Sequence, residues 1–257
     1  MVEPNLFRKS LLGVPVDVYR YDELLARIEN GLEVKQRLKI FAINPEKIMA
    51  SREDKELLAA LESANILIPD GIGVVLGLRA LCGISVNRVA GVSLFESLLE
   101  QANKKKLRVF IFGGTEEINK LAAEKISEKF PSINFIGREN GYTVAADYPG
   151  LVGKIESMNI DMLFVALGSP KQEKWVQEFC GDLKVGLIMG IGGSLDVISG
   201  RVKRAPRWVQ NLYLEWLYRL FLDPRRIKRQ MILPRYAIEV IKAKSLSFLK
   251  TKGRRKK

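Results

Sequence analysis

Apolar positions along residues 1–200 follow two alternating rhythms. Short apolar runs at 11–18, 39–44, 66–69, 108–112, 133–137, 161–167 and 185–189 read as strands. Between them, apolar residues recurring every three or four positions predict helices over 45–64, 74–81, 92–104, 116–130, 149–158 and 171–179. Asn44 and Pro45 open the first of these as cap and first residue, because an amide side chain accepts from the exposed backbone N–H groups and proline needs none. Strands alternating with helices give an α/β fold, a mostly parallel sheet with helices on both faces. From 206 to 222 the polar residues Arg207, Asn211, Glu215 and Arg219 fall four apart. That spacing predicts one helix with a single polar stripe among Trp, Leu, Tyr, Val and Phe.

Charge divides the 257 residues unevenly. Residues 1–200 carry 24 basic and 26 acidic side chains; residues 201–257 carry 18 and 3. We therefore place a boundary near 199–204, between a core at 1–200 and a basic, amphipathic helical appendage at 201–257. A near-neutral body with a polycationic end calls for a polyanionic partner: nucleic acid, an anionic membrane or a phosphate-bearing substrate. Aromatic and leucine residues interleaved with arginine favour a membrane surface for the extension as a whole. For residues 207–222 alone, packing of the aromatics on the body is an equal reading.

Composition then removes chemistry. With no histidine, Ser-His-Asp and Cys-His nucleophile systems and His-ligated metals are excluded, so a general base must be a carboxylate, lysine, tyrosine or cysteine. Two cysteines, Cys82 and Cys180, do not make a disulfide framework. The first nine residues hold no apolar signal core, and no uninterrupted apolar run reaches the length of a membrane span.

In an open α/β sheet, ligands bind beyond the carboxyl ends of the strands. Those ends carry Asn44, Asp70-Gly71, Gly113-Gly114-Thr115, Gly168-Ser169-Pro170-Lys171-Gln172 and Gly190-Ile191-Gly192-Gly193-Ser194. The last three are small-residue turns leading into helices, suited to phosphate oxygens. Leu195 stands where a third glycine would complete a dinucleotide fingerprint, and neither a Walker A pattern nor a D-x-D occurs. A nucleoside diphosphate leaving without metal would need cationic side chains, which the appendage can lend. Asp70, between an apolar strand and glycines, is the carboxylate best placed as a base, although a plain Asp-Gly turn is the commoner role of such a dipeptide. Asn44 can be only a cap, Gln172 only a surface residue, and Tyr142 either a base-stacking or a locally packed turn residue.

Val165 to Trp175 (VALGSPKQEKW), Ile68 to Gly71 (IPDG), Arg88 to Gly91 (RVAG), Gly190 to Gly200 (GIGGSLDVISG), Val202 to Pro206 (VKRAP) and Leu214 to Leu220 (LEWLYRL) resemble the WecG/TagA/CpsF glycosyltransferase family. The likeness runs from about Leu11 to Ile241. It implies a Rossmann-like core with a membrane-associating appendage, on the cytoplasmic face of the cell membrane. It implies inverting, metal-independent transfer of N-acetylmannosamine or a related sugar from a UDP-sugar to undecaprenyl-diphosphate-linked N-acetylglucosamine, for teichoic acid or other surface polysaccharide. UDP-N-acetylmannosaminuronic acid and UDP-glucose are alternative donors; no cofactor is implied. Carried over by position, Asp70 is the general base and Arg88 an arginine near the diphosphate. Asn44 and Gln172 orient sugars, Tyr142 and Asp196 meet uracil and ribose, and Arg219, Arg226 and Arg229 close over departing UDP. The backbones at Gly113, Gly114, Gly192 and Gly193 complete the expected substrate contacts. Ala42 departs from the threonine of several relatives, which removes a hydroxyl from the donor side.

Two readings from other classes remain at this point. A nucleic-acid-binding protein would use the basic extension on phosphates, although no nucleic acid is implied by the resemblance. A nicotinamide-dependent oxidoreductase would use the glycine turns. A homo-oligomer is allowed, but no heptad specifies one.

Overall fold

The computed structural model describes residues 7–142, 147–224 and 227–254, with the backbone alone at 136, 219, 228–229 and 248–254. A hairpin of β1 (Arg8–Leu11) and β2 (Val14–Asp17) precedes α1 (Tyr21–Glu33). Then come β3 (Leu38–Ile43), α2 (Pro45–Ser51), α3 (Lys55–Glu62), β4 (Ile66–Pro69), α4 (Ile72–Cys82) and α5 (Gly91–Lys105). The second half continues with β5 (Arg108–Gly113), α6 (Glu116–Lys129), β6 (Asn134–Glu139), α7 (Tyr148–Ser157), β7 (Met162–Ala166), α8 (Lys171–Phe179), β8 (Leu187–Gly190) and α9 (Ser194–Ile198). The appendage forms α10 (Arg207–Asn211), α11 (Glu215–Leu222), α12 (Ile227–Gln230) and α13 (Ile232–Arg254).

Six strands make one sheet in the order β4-β3-β8-β7-β5-β6, with every pairing parallel. Both faces are buried, which is why these strands read as continuous apolar runs. Phe41, Ile43, Leu67, Phe110, Phe112, Leu163 and Val165 face a core shared with α2, α3, α4, α7, α8 and α13. Ile40, Ile66, Ile68, Val109, Ile111, Phe164 and Met189 face a second core shared with α1, α5, α6 and α9. The helix after β3 therefore lies on one face and the helix after its neighbour β8 on the other. Such a reversal opens a crevice at the carboxyl ends of those strands.

Three predicted elements differ from the structure, and one helix falls outside the predicted set. The run 11–18 is no single strand: Leu12 and Gly13 turn with positive φ (53° and 92°), and the chain folds into the antiparallel β1–β2 hairpin. Asp17 pins that hairpin to β4 by accepting from Leu67 N–H at 2.7 Å while pairing with Arg8 at 2.8 Å. The predicted helix 45–64 is two helices, because Asp54 caps a new start by accepting from Leu57 N–H at 3.0 Å. The region 19–38, left without an element by the pattern, holds α1, whose Leu24 and Ile28 are buried. The single helix predicted over 206–222 breaks at Tyr213, which has φ 59°, between α10 and α11. The polar stripe goes with it: Glu215 is only 3% exposed.

The appendage returns to the body through α13. Tyr236 and Val240 are buried in the first core, and the Tyr236 hydroxyl donates to Gly73 O at 3.0 Å. Burial pushes that phenol well up, so it stays a donor. Glycine at 77 is required here, since a Cβ would meet the Tyr236 hydroxyl and lie 3.0 Å from Leu11 Cδ1. Outward, Trp208, Phe221, Met231 and Ile241 are exposed. The appendage thus packs Tyr236 inward and leaves other large apolar residues to solvent. Among the described residues, no helix is long and apolar enough to cross a membrane.

Candidate active site

The crevice at the β3 and β8 ends widens into a cavity of about 960 Å³. Asn44, Asp70, Arg88, Gln172, Gly192 and Gly193 all line it, as do the appendage residues Tyr213, Glu215 and Trp216. One wall is polar. The other is apolar, built from Leu76, Ala80, Ile232, Leu233, Val240 and Ile241 where α4 and α13 face each other.

Asp70 sits one residue beyond β4. Gly71 turns the chain with φ 98°, a region L-residues avoid, so α4 can start at once and leave Asp70 at the mouth of the strand. Its Oδ2 accepts from Gly91 N–H at the start of α5, and its Oδ1 from Arg88 Nε, both at 3.2 Å. The side chain remains 31% exposed to the cavity region. Arg88 spends its other arm on Glu215 Oε2 at 2.6 Å. Burial by itself lowers the guanidinium, but Asp70 and Glu215 together hold it above its ordinary value.

Asn44 caps α2 as the pattern predicts: its Oδ1 accepts from Lys47 N–H at 2.8 Å, which leaves Nδ2 as the donor it can offer a ligand. Gln172 is no surface residue; it is 4% exposed. Its Nε2 donates to Glu173 Oε1 at 2.8 Å and its Oε1 accepts from Gly192 N–H at 3.1 Å, so it ties α8 to the turn after β8. Beneath lies a buried ion pair, Lys47 Nζ to Glu173 Oε1 at 2.7 Å, with Lys47 also donating to Ala42 O at 2.6 Å. Burial pushes the Glu173 carboxyl up, but Lys47 outweighs it and holds the group below the usual carboxylate range.

Four expected contact residues lie outside the lining of this cavity: Gly113, Gly114, Tyr142 and Asp196. Gly113, Gly114 and Tyr142 gather across β7 at the β5 end, while Asp196 borders the cavity turn, its Oδ2 3.7 Å from where a Cβ on Gly193 would stand. Gly141 N–H donates to Gly114 O at 2.8 Å, which brings the turn carrying the 79% exposed Tyr142 beside the β5 end. A Cβ on Gly114 would lie 3.0 Å from Leu195, next to Asp196 in the first turn of α9. Gly114 N–H is already bonded to Ala166 O, and Gly192 N–H to Gln172. Both amides are thus spent within the protein. Arg219 lies on α11 and Arg229 on α12, each with its backbone alone described; Arg226 lies outside the described residues. Among the described residues, no group of three or more Cys, Asp or Glu side chains could hold a metal ion.

Three residues to which the sequence pattern gave no part in the site prove central to this geometry: Lys47, Glu173 and Glu215. Lys47 is one turn from the Asn44 cap and Glu173 is the neighbour of Gln172, but their pairing joins positions far apart in the chain. Glu215 lay hidden in an apparent polar stripe.

The sequence profile of the "Glycosyl transferase WecG/TagA/CpsF family" matches residues 9–248. The chain is 42% identical over 203 residues to the N-acetylglucosaminyldiphosphoundecaprenol N-acetyl-beta-D-mannosaminyltransferase of Bacillus subtilis (strain 168), covering 79% of this chain and 78% of that protein. A protein of the same name from Bacillus spizizenii (strain ATCC 23059 / NRRL B-14472 / W23) is 37% identical over 203 residues, with the same coverage.

Proposed function

The chain belongs to the WecG/TagA/CpsF family of glycosyl transferases, and from that premise we propose that it moves N-acetylmannosamine from UDP onto a polyprenyl-diphosphate-linked N-acetylglucosamine. Membership selects a transferase over the nucleic-acid-binding and nicotinamide-dependent readings of the sequence. The observation that carries the acceptor is the two-walled cavity: a carboxylate and polar groups at one end, an apolar α4–α13 wall at the other. An acceptor with a sugar head and an isoprenoid tail has the same two parts. The names of the two relatives support the same acceptor. The exposed Trp208, Phe221 and Met231, set among arginines and lysines, support work at an anionic membrane surface.

In the proposed reaction Asp70 takes the proton from the acceptor hydroxyl. The oxygen attacks the anomeric carbon from the face opposite UDP, the bond from that carbon to the phosphate oxygen breaks, and UDP leaves with the electron pair. The anomeric configuration inverts. Arg219, Arg226 and Arg229 are the cations we assign to the departing diphosphate, in place of a metal. Asn44 offers Nδ2 to a sugar, and Gln172 holds the turn at Gly192 that shapes the donor side. The uracil and ribose are assigned to Tyr142, across β7, and to Asp196, beside the cavity turn.

A UDP-release assay over a panel of UDP-sugars, run with and without a polyprenyl-diphosphate N-acetylglucosamine, tests this. Release is expected with UDP-N-acetylmannosamine and only in the presence of that acceptor. Release from UDP-glucose or the uronic acid alone would move the donor, and release independent of acceptor would remove the transferase reading.

A further inference from the structure

Glu215 opens α11 on the appendage, yet it is 3% exposed, and a carboxylate withdrawn from water needs a cation. Arg88 supplies it: Nη2 reaches Glu215 Oε2 at 2.6 Å while Nε turns to Asp70 Oδ1 at 3.2 Å. One planar fork thus joins a carboxylate of the appendage to the carboxylate at the end of β4. Both flanks of Arg88 carry negative charge. A diphosphate that claimed this guanidinium would have to compete with two carboxylates already bonded to it. The fork is also rigid, so fixing one arm fixes the direction of the other.

We infer that Glu215 is a positioning residue for the transfer proposed above: it anchors α11 to Arg88 and aims that guanidinium at the Asp70 carboxylate, so that Arg88 serves the base and not the departing diphosphate. The inference rests on the reading of Asp70 as the base. Its consequence is that appendage docking and orientation of the base are one event. A body with the appendage lifted away would hold Asp70 by Gly91 N–H and a one-armed Arg88.

The test compares full-length wild type, Glu215→Gln and Glu239→Gln. Glu239 on α13 also pairs appendage with body, to Arg52 at 2.9 Å, but outside the cavity lining. Glu215→Gln is expected to lower kcat about 10- to 100-fold, the size of a misaimed reacting group, with donor KM and UDP affinity changed less than about twofold. Glu239→Gln keeps kcat within about twofold. Tighter or weaker UDP binding with kcat kept would assign Glu215 to the diphosphate and overturn the inference. So would a Glu215→Gln enzyme indistinguishable from Glu239→Gln. If Glu215→Gln does not fold, Arg88→Lys, which keeps a cation but no fork, carries the same comparison. Should wild type transfer no sugar at all, the functional reading fails on its own, and limited trypsinolysis without substrate still decides the anchor. Glu215→Gln must then release the appendage about tenfold faster than Glu239→Gln, and equal rates would refute it.

Discussion

Replacing Asp70 by asparagine is expected to cut turnover by about 10²- to 10⁴-fold while UDP binding stays near wild type, the usual size of a general-base contribution. In free-energy terms this is about 3–5 kcal/mol of barrier. The side chain keeps its shape, so a steric explanation is closed off. Arg88 stays held by Glu215, and the Gly91 N–H still finds an oxygen. What disappears is one acceptor. The asparagine Nδ2 must face either Arg88 Nε or the ligand, and it cannot take a proton. Turnover under saturating donor and acceptor, set beside UDP binding by calorimetry, reads the two effects apart. Turnover within about threefold of wild type would move the base to another group, since a base contributes far more than that.

Breaking the Lys47–Glu173 pair is the second large effect. Glu173→Gln and Lys47→Met are each expected to destabilise the fold by about 3–5 kcal/mol, because each leaves a buried charge without its partner. Neither partner can borrow solvent: their side chains are 5% and 0% exposed. The double change Lys47→Met with Glu173→Leu should recover much of that loss, since no charge is then stranded. It should not recover activity in proportion. Gln172 would have lost its Glu173 contact, and the turn at Gly192 would be held from one side only. The pair also sets an acid response. Lys47 holds the Glu173 carboxyl below its unfolded value of about 4.3, so its stabilisation is complete above that pH and is lost as pH falls through the folded value. Denaturant midpoints measured from pH 7 down to pH 3 should fall more steeply for wild type than for the double variant. Parallel curves would mean that the pair is not ionised in the native state.

The sheet was readable because its strands are covered on both faces, which turns each into an unbroken apolar run. The place of Asp70 was readable for a related reason: a charged residue directly after such a run, followed by glycine, marks the mouth of a strand where the chain turns. Local periodicity failed where one capping residue decides the outcome. Asp54 begins a new helix two residues after the Arg52 cap of the last one, and nothing in the spacing of apolar residues announces it. It failed again at 206–222, where the four-residue spacing of Arg207, Asn211, Glu215 and Arg219 imitates a solvent-facing stripe. The positive φ at Tyr213 turns Glu215 inward to Arg88 instead. Lys47–Glu173 had no one-dimensional signature at all, since the pair forms only once α2 and α8 pack on the same face of the sheet. The helix α1 did have a signal in Leu24, Leu25, Ile28 and Leu32, at helical spacing.

The account comes to rest on side-chain chemistry: one carboxylate that activates the acceptor, and guanidinium groups that hold the leaving diphosphate where many sugar-nucleotide transferases use a divalent ion bound by D-x-D. Its most direct test is formation of the lipid-linked disaccharide from UDP-N-acetylmannosamine in anionic vesicles containing the acceptor, followed by mass spectrometry, with and without excess EDTA. Undiminished product in EDTA is the predicted result. Product lost in EDTA and restored by magnesium or manganese would contradict it.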